Sequence, residues 1–200
     1  MSTLPRPAVA SIAKYFDLSF FGRFLVLLVG LYYFNIFYLG VTSPNGRVYS
    51  SFLEEHLNYI NWITASILYS SELIVGLFGI DAHIENFQHL KSTSGAWVTV
   101  WLPCLGLGII SFWIAFVVSH KGTMKKKFFW SIGGIMTIWF INCWRIALLL
   151  LALDRKWHLD TVFDHHTLFN IIAYASIGIL VYLYSRSNRK ELQSCKLNKA

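Results

Sequence analysis

The chain has 200 residues, of which 56% are hydrophobic and only 14% charged, with 17 Lys and Arg against ten Asp and Glu for a formal charge of +7. That charged fraction is about half that of an ordinary soluble domain. A mean hydropathy of +0.52, with eight Trp, ten Tyr and sixteen Phe, excludes a disordered chain, a coiled coil and a disulfide-stapled secreted domain. What remains is an all-α, multi-pass membrane helix bundle whose positive balance reflects cytoplasmic loops rather than nucleic acid. Cys104, Cys143 and Cys195 are too few and too scattered for a disulfide framework or a zinc site.

A hydrocarbon core about 30 Å thick needs roughly 20 apolar residues per helix. In chain order such runs lie at 18–41, 60–80, 102–118, 128–153 and 168–184, which predicts a single membrane domain of about five to six transmembrane helices. No short apolar run with a small-residue cleavage site precedes the first, so it is expected to stay in the protein. Before the third span, Ser92, Thr93, Ser94 and Gly95 form a turn between 87–90 and 97–100. This predicts a short extracellular hairpin or extended stretch, leading to Pro103 in the first turn of a helix.

Positive charge marks the cytoplasmic side. Lys121, Lys125, Lys126 and Lys127 form one such anchor, and the tail after Tyr184, with Arg186, Arg189 and Lys190, forms another. Both place the C-terminus inside and the loop 154–167 outside. Five spans would then put the N-terminus outside, whereas Arg6, Lys14 and Arg23 draw it inward. A re-entrant segment, or a sixth helix within residues 3–16, would reconcile the two.

Depth along the helices singles out three side chains. At about 1.5 Å per residue, Cys104 lies about 26 Å from Lys121, Arg145 about 27 Å from Lys127, and His166 about 30 Å from Arg186. A thiol, a guanidinium and an imidazole expected at one membrane face are the parts of a cysteine acyl-transfer site. Each also has a plainer reading: Cys143 is read as core, an arginine this shallow can snorkel, and Asp164 with His165 and His166 can be a solvated helix cap. Cys104 differs from Cys143 because it is expected at the start of a helix, with room left by Gly106 and Gly108. Asn142 is three residues before Arg145 and is placed to orient it. Glu72 is the remaining charge near the outer end of the second span, either snorkelling or a site wall. No metal-binding pattern or cofactor is implied.

Three motifs carry a resemblance: Trp-Leu-Pro-Cys-Leu-Gly-Leu-Gly at 101–108, Asn-Cys-Trp-Arg-Ile at 142–146 and Asp-His-His-Thr-Leu-Phe-Asn at 164–170. Together, across about residues 88–185, they resemble the exosortase/archaeosortase family of membrane cysteine transpeptidases, in its short bacterial forms. The resemblance implies an enzyme of the cell membrane acting at the extracytoplasmic face. Its clients would carry a C-terminal sorting signal of short motif, hydrophobic helix and basic tail. The family's nucleophile falls on Cys104, its arginine on Arg145 and its histidine on His166, with His165 as second choice. The second substrate would be water or an amine on a lipid or glycan. A different class of reading is a non-catalytic assembly or transport subunit in which Arg145 pairs with Glu72 and Cys104 only packs.

Overall fold

Polar residues at the ends of the apolar runs set where helices begin. In the computed structural model, which describes residues 17–44, 46, 48–156 and 165–197 without the side chains of 103, 165–170 and 191–197, Asp17 opens the first helix. Its carboxylate accepts the Phe20 amide at 3.2 Å and caps α1 (Leu18–Thr42). Of its 25 residues, α1 buries only Val41 and Thr42, leaving Val26, Tyr33 and Phe37 exposed. An apolar face of that extent matches lipid rather than water. Helix α2 (Ser51–Leu57) leads into α3 (Tyr59–Leu77) through Asn58, whose side chain caps α3 at the Asn61 amide.

The segment between α3 and the next helix is a three-stranded antiparallel sheet of β1 (Ala82–Glu85), β2 (His89–Ser92) and β3 (Trp97–Thr99) in that order. Leu90 of β2 stands opposite Ile84 on one side and Val98 on the other. The hairpin expected around Ser92 to Gly95 is β2–β3, but the chain is not wholly helical, and β1 was not foreseen. Its link to β2 contains no glycine; Asn86 and Phe87 take φ values of 52° and 56° instead.

The run expected as a third span at 102–118 divides in two. A 3-10 turn (Leu102–Leu105) carries Pro103 in its first positions, Gly106 follows at φ 71°, and α4 (Leu107–Ser119) has only 13 residues. Next come α5 (Met124–Asp154), with Lys125, Lys126 and Lys127 in its first turn, and α6 (His165–Leu197), which continues past Tyr184 into the basic tail. Among the described residues three segments are long and apolar enough to cross a membrane: Leu18–Thr42, Ser51–Leu77 and Met124–Asp154. The expected sixth helix at 3–16 lies outside the described residues.

Side-chain bonds fix how the helices run. Trp139 Nε1 donates to Ser66 Oγ at 3.0 Å, the Ser71 hydroxyl to the Cys143 carbonyl at 3.0 Å, and an Arg155 Nη to the Phe78 carbonyl at 3.0 Å. The partners rise together along both chains, so α3 and α5 run parallel. Asp17 pairs with Lys121 at 3.5 Å and the Asn35 amide donates to Ser111 at 3.0 Å, so α1 and α4 run antiparallel. One core lies where α3, α5 and the sheet meet, around Ile67, Leu68, Leu90, Ile146 and Leu150; a second surrounds Trp113, Val117, Ile138 and Tyr184.

Candidate active site at the 3-10 turn

Cys104 is the third residue of the 3-10 turn, its N–H donating to the Trp101 carbonyl at 2.8 Å. Its thiol is free, half-buried and packed against the α3–α5 core. The expectation that it opens a helix is corrected. Gly106 reverses the chain in the left-handed region before α4 begins at Leu107, so the dipole of α4 starts three residues beyond the cysteine.

That reversal seats the turn on α5. A Cβ at Gly106 would stand 2.7 Å from Asn142 Nδ2 and 3.3 Å from Ile138 Cγ2, so only glycine permits both the backbone angle and the contact. Asn142 is buried, and its Nδ2 has no hydrogen-bond partner among the described residues. The amide nitrogen thus faces the cysteine turn, one helical turn before Arg145. Arg145 is half-buried and lines a cleft of about 410 Å³ with Trp144, Leu148 and, from α6, Ile172. Two residues further on, Tyr174 of α6 lines a second cavity with Leu102, Gly106 and Gly108. The three motif-bearing elements therefore adjoin: the turn touches α5 at Asn142, and α6 borders both the turn and Arg145.

Their depths are less equal than the spacing suggested. The turn meets α5 at Ile138 and Asn142, about 16 to 22 Å along the helix from Lys127, whereas Arg145 is about 27 Å along it. The break at Gly106 and the short α4 leave the cysteine turn about one helical turn deeper than the arginine. His165 and His166 begin α6, with Ile172 six residues, or about 9 Å, beyond His166. Their side chains, and all of Asp164, lie outside the described residues. Glu72 is half-buried on α3 and takes part in neither ion pair between described residues, Lys91–Glu85 and Lys121–Asp17.

Beside the turn is a cavity of about 420 Å³, walled by the end of α1, the start of α3 and the β1–β2 link, with Glu54, Asn58, Asn61, Asn86, Gln88 and Trp101 among its lining. Sequence reading missed these amides, because scattered Asn and Gln in loops have no periodicity that marks them. Among the described residues no group of three His, Cys, Asp or Glu comes together to hold a metal. The chain matches no protein-family model, no curated protein and no solved structure.

Proposed function

We propose that the chain is a membrane-embedded cysteine protease or transpeptidase that cleaves client proteins at a C-terminal sorting signal. The observation that carries this reading is the seating of the Cys104 turn on α5 at Asn142, one turn from Arg145, with α6 alongside both. In this reading Cys104 Sγ attacks the client's carbonyl, forming a thioester and releasing the client's hydrophobic tail as an amine. Arg145 stabilises the tetrahedral oxyanion, which is favoured where water is scarce. His166, or His165 in its place, takes the thiol proton and returns it to the leaving amine. Water resolves the thioester in a protease, and an amine on a lipid or glycan does so in a transpeptidase.

The cavity of amides beside the turn suits an extended recognition motif, since Asn and Gln can both donate to and accept from a peptide backbone. The site opens within the outer leaflet of the cell membrane. The Lys121 loop and the C-terminus face the cytoplasm, and the bundle has five membrane-embedded segments: α1, α2 with α3, α4, α5 and α6.

Two measurements test the proposal. In intact cells carrying Cys143→Ala and Cys195→Ala, a small membrane-impermeant thiol reagent should label Cys104 from outside, about tenfold more slowly after Arg145→Ala or His166→Ala. A Cys104→Ala strain should accumulate uncleaved membrane proteins ending in an apolar helix and a basic tail. Unchanged processing in Cys104→Ala would remove the enzyme reading and leave the non-catalytic subunit, whose function would instead depend on Glu72 and Arg145.

A further inference from the structure

At the other end of α4 from Cys104 is a pocket of about 300 Å³ between the start of α1, the end of α4 and α6, lined by Asp17, Arg23, Ser119, His120, Lys121 and Asn188. Two of these residues are nearly inaccessible, Ser119 at 1% and Asn188 at 4% exposure. Both present a polar atom that has no hydrogen-bond partner among the described residues: the Ser119 hydroxyl and Asn188 Oδ1. Buried polar groups are ordinarily satisfied, so a pair left open in one pocket points to a ligand.

The chemistry of that ligand follows from the lining. Arg23 and Lys121 bring positive charge, and the one carboxylate, Asp17, is already held by Lys121 at 3.5 Å and by the Phe20 amide. Lys127 is engaged elsewhere, its Nζ donating to the Val118 carbonyl at 2.8 Å, so the charge facing the pocket is that of Arg23 and Lys121. The ligand is therefore anionic. Ser119 can donate to an anion's oxygen, but Asn188 Oδ1 can only accept, so the same ligand must also carry an O–H or N–H. The pocket sits where the apolar stretches of α1 and α4 both end, which is the headgroup layer of a bilayer.

We propose that this pocket binds one glycerophospholipid headgroup. The phosphate is held by Arg23, Lys121 and the Ser119 hydroxyl, and the terminal ammonium or hydroxyl of ethanolamine or glycerol donates to Asn188 Oδ1. A choline headgroup has no donor for Asn188 and fits poorly. The site is independent of the chemistry at Cys104.

The test is native mass spectrometry of the purified full chain with added phosphatidylethanolamine, phosphatidylglycerol, phosphatidylcholine or soluble glycerol phosphate. The expected result is one ethanolamine or glycerol lipid retained per chain, about tenfold more tightly than the choline lipid. Asn188→Leu should abolish that preference, and Arg23→Gln, on an exposed face, should weaken retention of every phospholipid. Ser119→Ala, a minimal change that guards against misfolding, should weaken retention severalfold while raising the unfolding temperature of the lipid-free protein. Equal retention of choline and ethanolamine lipids would mean that Asn188 Oδ1 takes no donor from the headgroup and would overturn the proposal. Unchanged preference in Asn188→Leu, or unchanged retention in Arg23→Gln and Ser119→Ala, would overturn it as well, and competition by glycerol phosphate at equal concentration would overturn the lipid assignment.

Discussion

Two residues show how much a single side chain decides here. Gly106 holds φ 71°, and a Cβ added there would stand 2.7 Å from Asn142 Nδ2. Gly106→Ala should therefore cost about 1 kcal/mol in backbone strain, with a further penalty for the clash, and lift the Cys104 turn from α5. Thermal unfolding of the purified protein should show a lower midpoint, and Cys104 labelling should slow. Adding Asn142→Ala should restore part of the stability but not the part due to φ.

His120 makes a pH prediction. Its ring packs 4.5 Å from both Phe20 and Phe116, and Nδ1 lies 2.8 Å from the Phe116 carbonyl. Burial holds its pKa below the ordinary value of 6.5; the Phe116 carbonyl opposes this, and the Lys127 charge adds to it. Over the window from that depressed value up to 6.5, the unfolded chain binds more protons than the folded one, so stability falls as pH falls through it. Asp17 is shifted down from 3.8, chiefly by the Phe20 amide and also by Lys121, so its contribution is lost only in stronger acid. Unfolding temperatures between pH 7.5 and 5 should decline less in His120→Gln than in the parent. Equal slopes would mean that another group carries the acid sensitivity.

At the scale of elements, small residues determine how closely the helices approach. A Cβ at Gly134 would stand 1.9 Å from Trp113 Nε1, and Trp113 is wholly buried, with its indole donating to the Trp130 carbonyl at 3.0 Å. Gly134→Ala should overpack this contact by about 1 to 3 kcal/mol, measured as a fall in unfolding midpoint. Trp113→Phe in the same chain should relieve the clash at the cost of the hydrogen bond. The helices themselves were legible because a bilayer-length apolar run is a signal of length: α1 and the body of α5 match the runs at 18–41 and 128–153 within a few residues. The division at Gly106 was not legible, since Leu102 to Val118 is continuous in hydropathy, and the glycine was read as space beside a thiol rather than as a reversal of the chain. Strand β1 escaped because four residues with a glycine-free turn carry no pattern signal. In the site, the residue types and their order were legible, while the contact of Asn142 with Gly106 depends on a helix crossing that spacing along one chain does not encode.

For the whole molecule, the helix directions bear on the conflict between five spans and the basic residues near the N-terminus. The Asp17–Lys121 pair puts the start of α1 at the same end as the basic loop between α4 and α5, the end that the proposed orientation turns to the cytoplasm, in agreement with Arg23 beside it. If α1 then runs outward and α4 runs inward, the intervening α2–α3 must begin and finish on the outer side. That fits α3 running parallel to the outward α5, with Phe78 bonded to Arg155 just past the end of α5. The apolar stretch Ser51–Leu77 is long enough to cross, but in this proposed arrangement it would re-enter from outside, leaving α1, the 3-10 turn together with α4, α5 and α6 as crossings, with the start of α1 on the side of the Lys121 loop. Single cysteines in a chain lacking the native three test this with an impermeant reagent on intact cells. Ser94→Cys and Ser51→Cys should label from outside, and Ser19→Cys and Thr123→Cys only after permeabilisation. External labelling at Ser19→Cys, with none at Thr123→Cys, would instead mean five full crossings and an N-terminus held outside against its own charge.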